Sequence, residues 1–175
     1  MTNIEIKASC NDLDQIREIL KKEGAEFVGL DQQTDTYFNS QQGRLKLREG
    51  NIENCLIHYQ RQNQAGPKVS EVMLYHPQPS AGLKELLSVA LGVRGVVRKK
   101  REIYFIENVK FHLDSVEQLG AFVEIEAIDA SGDISRETLL EQCKTYLSLF
   151  DISAAQLINN SYSDMILEKS DGPKN

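Results

Sequence analysis

The stretch RLKLRE, Arg44 to Glu49, puts Arg44, Lys46 and Arg48 on one side of an extended chain and Leu45 and Leu47 on the other, because successive strand side chains point to opposite faces. Alternation alone describes a half-buried antiparallel strand with its charges in water. The fold turns on whether that basic face looks outward to solvent or inward to a lumen.

The neighbouring segments alternate in the same way. Asn3, Glu5 and Lys7 oppose Ile4 and Ile6; Lys110, His112 and Asp114 oppose Phe111 and Leu113; Glu124 and Glu126 oppose Val123 and Ile125; and Ile57, Tyr59 and Arg61 share one face. Strands are expected over 3–9, 25–39, 44–50, 54–62, 68–75, 94–106, 109–116 and 120–128, separated by turn-like SQQG, EGN and QNQAGP. Asn11 or Asp12 can cap a first helix with Leu13, Ile16, Ile19 and Leu20 as its stripe and Gly24 at its end. Ser80 can cap a second, carrying Leu83, Leu86, Leu87, Ala90 and Leu91 and ending at Gly92. A third is expected over 135–150 and a short fourth over 161–168, with KSDGPKN, 169–175, as a polar tail with nothing to pack. TDTYF at 34–38 and REIYF at 101–105 form a weak internal echo of two halves.

Short connections favour antiparallel pairing over repeated βαβ units, which need a crossover helix between most strands. About eight strands suffice to close a barrel. The fold class is therefore α+β, an eight-stranded antiparallel barrel with helices packed outside, in a single domain over 1–168.

The signs of charge are segregated by strand, RLKLR basic and VEIEA acidic, whereas a surface tuned for solubility intersperses them. The opposite, apolar faces must be covered by the amphipathic helices. If the sheet closes with helices outside, the charged face becomes the interior, where each unpaired ion costs several kcal/mol. Such an interior implies a ligand. Clustered carboxylates, Glu5, Asp114, Glu124 and Glu126, suit hard oxygen-seeking cations such as magnesium or manganese. Arginines and lysines suit phosphate oxygens, arginine in a bidentate manner.

Composition narrows the alternatives. The 175 residues, 41% hydrophobic, carry a net charge of -6 with a pI near 5.2, which opposes nonspecific attraction to nucleic acid or anionic lipid. No stretch approaches the roughly 20 apolar residues that span a bilayer as a helix, and MTNIEIKA lacks a charged n-region followed by an apolar run, so an unprocessed chain is the expectation. Cys10, Cys55 and Cys143 lack C-x-x-C spacing and accompanying histidines, so a reduced, cytoplasmic setting is the expectation. No G-x-S-x-G, G-x-x-x-x-G-K-[ST] or H-E-x-x-H pattern occurs. His112 reads as a wall residue or hydrogen-bond partner, and Tyr37 and Tyr59 as core or wall.

Taken in order, NIEIKA (3–8), TDTYF, RLKLRE, YQR (59–61) with AGPK (65–68), VVRKKREIY (96–104), HLDSVEQLG (112–120), FVEIEA (122–127) and SYSDMI (161–166) resemble the CYTH group of triphosphate-tunnel enzymes. That group includes class IV adenylyl cyclases, thiamine triphosphatases and inorganic triphosphatases. The resemblance implies a tunnel that binds a triphosphate and one or two divalent metals, Mg2+ or Mn2+. It matches Glu5, Glu124 and Glu126 to metal-side glutamates and Asp114 to the acid that joins them. Lys7, Arg44, Lys46, Arg48, Arg61, Lys99 and Arg101 match phosphate-gripping cations, and Lys68 does so more loosely. Of the run Arg98 to Arg101, the resemblance turns Lys99 and Arg101 inward. Asn3 stands where the E-x-E-x-K signature has its first glutamate, which removes one possible metal ligand and puts two-metal occupancy in question.

Spacing is most similar to the class IV adenylyl cyclase subgroup, implying conversion of ATP to cyclic AMP and pyrophosphate. Hydrolysis of inorganic triphosphate, thiamine triphosphate or a nucleotide is the alternative, and a tunnel that binds nucleotide or polyphosphate as a sensor without turnover is a third. The implied partners are a small-molecule triphosphate and a second copy in a homodimer, with no nucleic acid and no membrane.

Overall fold

A computed structural model describes residues 2–60, 66–77 and 82–170. The strands are β1 (Thr2–Ser9), β2 (Glu26–Phe38), β3 (Arg44–Glu49), β4 (Cys55–Gln60), β5 (Lys68–Tyr75), β6 (Val93–Ile106), β7 (Val109–Val116) and β8 (Gly120–Asp129). They close into an antiparallel barrel in the order β1-β5-β4-β3-β2-β6-β7-β8. The long strands β2 and β6, which carry the TDTYF and REIYF segments, pair with each other from Glu26↔Phe105 to Phe38↔Val93.

Two helices cover one side of the barrel. α1 (Leu13–Lys22) starts at Asp12, whose side chain accepts from the Gln15 N–H, and α3 (Arg136–Leu149) starts at Ser135, which caps Thr138 in the same way. Gly24, at φ 75°, takes the left-handed conformation that ends α1 and donates to Lys21 O at 3.1 Å. Ile16, Leu20, Leu139 and Cys143 from these helices join Ile4, Ile6, Phe111, Leu113, Val123 and Ile125 from the sheet in one buried core. Phe111 is central to it, edge-on to Tyr146 at 4.7 Å and to Phe150 at 5.7 Å. Burying these side chains outside the sheet is what forces the alternate, charged set inward.

Two expectations need correction. α2 (Leu83–Leu91) begins at Gly82, and none of its residues is buried; Leu86 is 63% and Val89 84% exposed. It touches the barrel through Asn39 Nδ2, which donates to Leu91 O at 3.0 Å, and through the Lys84–Glu49 ion pair. A 3.6-residue period establishes that a stripe exists without saying what covers it. α4 (Tyr162–Ser170) is longer than expected, so Lys169 and Ser170 are helical, with Lys169 Nζ donating to Gln118 O. Ser80 and residues 171–175 lie outside the described residues.

α4 closes one end of the barrel. Tyr162 is buried against Phe122, with ring centroids 5.0 Å apart, in a cluster with Tyr37, Val97 and Val116. The β3–β4 connection lies at the other end. No helix among the described residues is long and apolar enough to cross a membrane.

Candidate active site

The barrel encloses a cavity of about 540 Å3. Lys7, Lys46, Arg48, Lys99, Arg101, Glu5, Glu124 and Glu126 line it, together with His112, Tyr37 and Tyr59. Alternation brings them there: on β6, Lys99 and Arg101 are buried while Arg98 and Lys100 are exposed. Arg61 lies outside the described residues.

The cations gather around an acid that sequence reasoning passed over. Asp35 on β2 has 0% exposure, and its carboxylate accepts from Arg48 Nε and Nη2 at 2.8 and 2.9 Å, from Lys46 Nζ at 2.9 Å and from Lys99 Nζ at 3.2 Å. Burial alone would raise its pKa, but Arg48, Lys46 and Lys99 outweigh it and hold the carboxyl well below its usual range. Lys99 shows the reverse balance. Burial, and then the Arg101 charge, pull its ammonium down to about 7, against the attraction of Asp35.

The acidic wall lies on β8 and β1. Glu124 contacts Lys7 Nζ at 3.1 Å and Arg101 Nη2 at 2.7 Å, and faces His112 Nδ1 at 3.0 Å. Despite its burial, these cations hold Glu124 well below the ordinary carboxylate range. Burial lowers His112 to about 4, with Arg101 adding to the effect. The neutral ring therefore carries its proton on Nδ1, facing the carboxylate, and presents Nε2 as an acceptor. Glu126 pairs in register with Glu5, and its carboxyl is raised by burial and by that neighbouring charge. Asn3 Nδ2 donates to Glu126.

Three expected site residues are committed elsewhere. Asp114 has 0% exposure and is gripped by Arg101 Nε and Nη2 at 2.7 and 2.5 Å and by the Tyr162 hydroxyl at 2.8 Å. It is absent from the cavity wall, so it aims Arg101 and faces no open space for a metal. Lys68 Nζ donates to the carbonyls of Ile158 and Asn159 at 3.0 and 3.1 Å, tying the chain before α4 to β5. Arg44 sits at the rim, paired with Asp164 of α4 at 2.8 Å.

The donors fit a hard divalent cation in kind, though not as a ready-made cage. Among the described residues no three His, Cys, Asp or Glu groups are already arranged to hold a metal, because Glu124 is taken up by Lys7, Arg101 and His112. Two buried acceptors of the cavity wall, Asn3 Oδ1 and His112 Nε2, nevertheless have no hydrogen-bond partner among the described residues. They line the same cavity as the register pair Glu5 and Glu126, and a cation there would find unused oxygen and nitrogen donors.

A closed antiparallel barrel with acids on one wall and cations on the other defines a charged-tunnel protein. The CYTH domain model matches residues 1–159, and the chain belongs to that family. A protein of Methanocaldococcus jannaschii named "putative adenylate cyclase" is 28% identical, over 94% of this chain and 98% of its own length. A structure from Vibrio parahaemolyticus, also described as a "putative adenylate cyclase", matches with a TM-score of 0.73 at 19% identity, over 95% of this chain and 98% of that one. A Hippeastrum protein, described as a putative adenylyl cyclase with a dominant triphosphatase activity, matches with a TM-score of 0.56 at 14% identity, over 96% and 95%. At these identities the two structures speak for the fold alone.

Proposed function

We propose that the chain is an enzyme that binds a triphosphate inside the barrel and processes it with a divalent metal, and that the reaction is conversion of ATP to cyclic AMP and pyrophosphate. One observation carries the binding half. Lys46, Arg48 and Lys99 converge on a single buried carboxylate, Asp35, in a cavity about 540 Å3 in volume. Asp35 holds the Arg48 fork in one orientation before substrate arrives, so little rotamer entropy is lost when phosphate oxygens meet these cations. Arg101, aimed by Asp114, and Lys7, beside Glu124, extend the cationic track toward the acidic wall.

Glu5, Glu124 and Glu126 are the residues that would hold Mg2+ or Mn2+, with Asn3 Oδ1 as a neutral oxygen donor. Bound there, such an ion supplies charge neutralisation at the reacting phosphate. The chain's own part is positioning and electrostatics, which dominate phosphoryl chemistry. The cyclase reading is supported by the name of the archaeal relative, which spans nearly the same length. Hydrolysis is the second reading, favoured by the activity named for the Hippeastrum protein.

Product analysis tests the choice. The purified protein is incubated with ATP, inorganic triphosphate and thiamine triphosphate, each with Mg2+ or Mn2+. Cyclic AMP with pyrophosphate is the expected result. Phosphate release selects the hydrolase, and tight binding without product selects a sensor; either outcome sinks the cyclase reading.

A further inference from the structure

The end of the tunnel away from α4 contains an acid that neither alternation nor the resemblance picks out. Glu53 sits in the connection between β3 and β4, residues 50–54. Its carboxylate reaches across the lumen, accepting from Arg48 Nη1 at 2.8 Å on one side and pairing with Lys110 of β7 on the other. Gln33 Nε2 donates to the same carboxylate at 2.9 Å.

The loop that carries it is anchored. Asp31 on β2, 0% exposed, accepts the backbone N–H groups of Asn51, Ile52 and Glu53 at 2.7, 2.9 and 2.9 Å. Gln33 Nε2 also bonds Asp31, at 2.7 Å. Gly50 permits the approach, since a Cβ there would lie 2.5 Å from Asp31 Oδ1. Three backbone donors on one buried carboxylate fix where the next side chain goes, so Glu53 is held in the lumen by a built turn.

Its chemistry sets a boundary. Lys46, Arg48 and Lys99 share the single carboxylate of Asp35, a surplus of cations open to an anion; at Glu53 a further carboxylate adds its charge, and Arg48 and Lys110 both answer to it. Near this loop the cavity wall is mixed, with Ile52, Leu74, Phe105 and Ile128 lining it beside Asn54, His76 and Lys110. A phosphate pushed past Arg48 would meet a carboxylate and hydrocarbon, and like-charge juxtaposition in a confined site is strongly unfavourable. An uncharged organic group would meet apolar surface and a hydrogen-bond acceptor, which suits a hydroxyl or amine.

We propose that Glu53 is a specificity-determining residue: it ends the anion-binding track and selects triphosphates that bear an organic group over longer inorganic phosphate chains. The proposal rests on the triphosphate-tunnel reading above and assigns to one residue its preference for an organic triphosphate over a longer inorganic chain.

Calorimetric titration without divalent metal tests it, with inorganic triphosphate, inorganic tetraphosphate and ATP as probes. Wild-type protein is expected to bind triphosphate and ATP, and tetraphosphate at least roughly tenfold more weakly than triphosphate, because its extra charge opposes Glu53. In Glu53→Gln the tetraphosphate penalty should vanish while triphosphate affinity changes less. Lys110→Met, which leaves the Glu53 charge less compensated, should deepen the penalty; it gives an independent reading if Glu53→Gln fails to fold. If all three probes bind and neither variant moves the tetraphosphate-to-triphosphate ratio by more than about twofold, the assignment of Glu53 is overturned while the tunnel reading stands. If wild-type protein binds none of them, the tunnel reading falls and the assignment falls with it.

Discussion

Lys99 makes triphosphate binding measurable as a proton count. Its ammonium sits at about 7 because burial, and then Arg101, oppose its charge, and an anion beside it would restore that charge. Below pH 7 the side chain is protonated both free and bound, so its titration leaves affinity unchanged. Between about pH 7 and the higher value in the complex, the free protein must take up a proton to bind, and affinity falls by up to about tenfold per pH unit. At pH 8 the uptake approaches about 0.9 proton, and from pH 7 to pH 9 the loss of affinity approaches roughly fiftyfold. Calorimetry with inorganic triphosphate, in two non-phosphate buffers of different ionisation enthalpy, reads that proton directly. Lys99→Arg provides the reference, because a guanidinium stays charged throughout and the ligand's own titration is common to both proteins. Wild type should take up close to one proton more than the variant at pH 8. Equal proton numbers and equal pH slopes would refute the placement of Lys99 against the phosphates.

The remaining predictions concern the other ions of the lumen. Arg101→Met leaves Asp114 and Glu124 buried without their shared partner and should destabilise the ligand-free protein by about 3–5 kcal/mol at pH 7, read as a fall in Tm. The carboxyls are held below their usual range in the wild type, so their contribution is present above the unfolded-state pKa of about 4. It is lost as pH falls through the folded-state values, and the gap between the two proteins should narrow in acid. Glu124→Gln should abolish metal-dependent turnover and leave the circular dichroism spectrum unchanged; full activity would remove that carboxylate from the metal site. Arg48→Ala should weaken triphosphate binding by roughly 10- to 100-fold, the loss of charge-assisted hydrogen bonds, and an unchanged Kd would show that the fork does not hold phosphate.

The barrel was legible because its evidence is periodic. RLKLRE, HLD and VEIEA each state their two faces within a few residues, and Phe111, Ile125 and Leu20 have to be covered by something. Which cation answers to which acid was not legible. Asp35 lies in the same phase as Asp31, Gln33 and Tyr37 on β2, but two acids in a strand of threonines, glutamines and aromatics carry no signal until closure brings β3 and β6 to either side of them. Glu53 was harder still, since alternation says nothing about a turn and its direction depends on the buried Asp31 that accepts the turn's N–H groups. Asp114 and Lys68 have the right charge and phase, yet Asp114 is held by Arg101 across the sheet and by the Tyr162 hydroxyl, and Lys68 by the carbonyls of Ile158 and Asn159 near the end of the chain. A local pattern could not show that they were already engaged.

The most direct test is a crystal structure of the protein with inorganic triphosphate and Mn2+. The phosphate chain should lie inside the barrel, its oxygens on Lys46, Arg48 and Lys99, with a manganese anomalous peak beside Glu5, Glu124 and Glu126. Triphosphate bound on the outer surface, or manganese elsewhere with the lumen's ion pairs intact, would contradict the account.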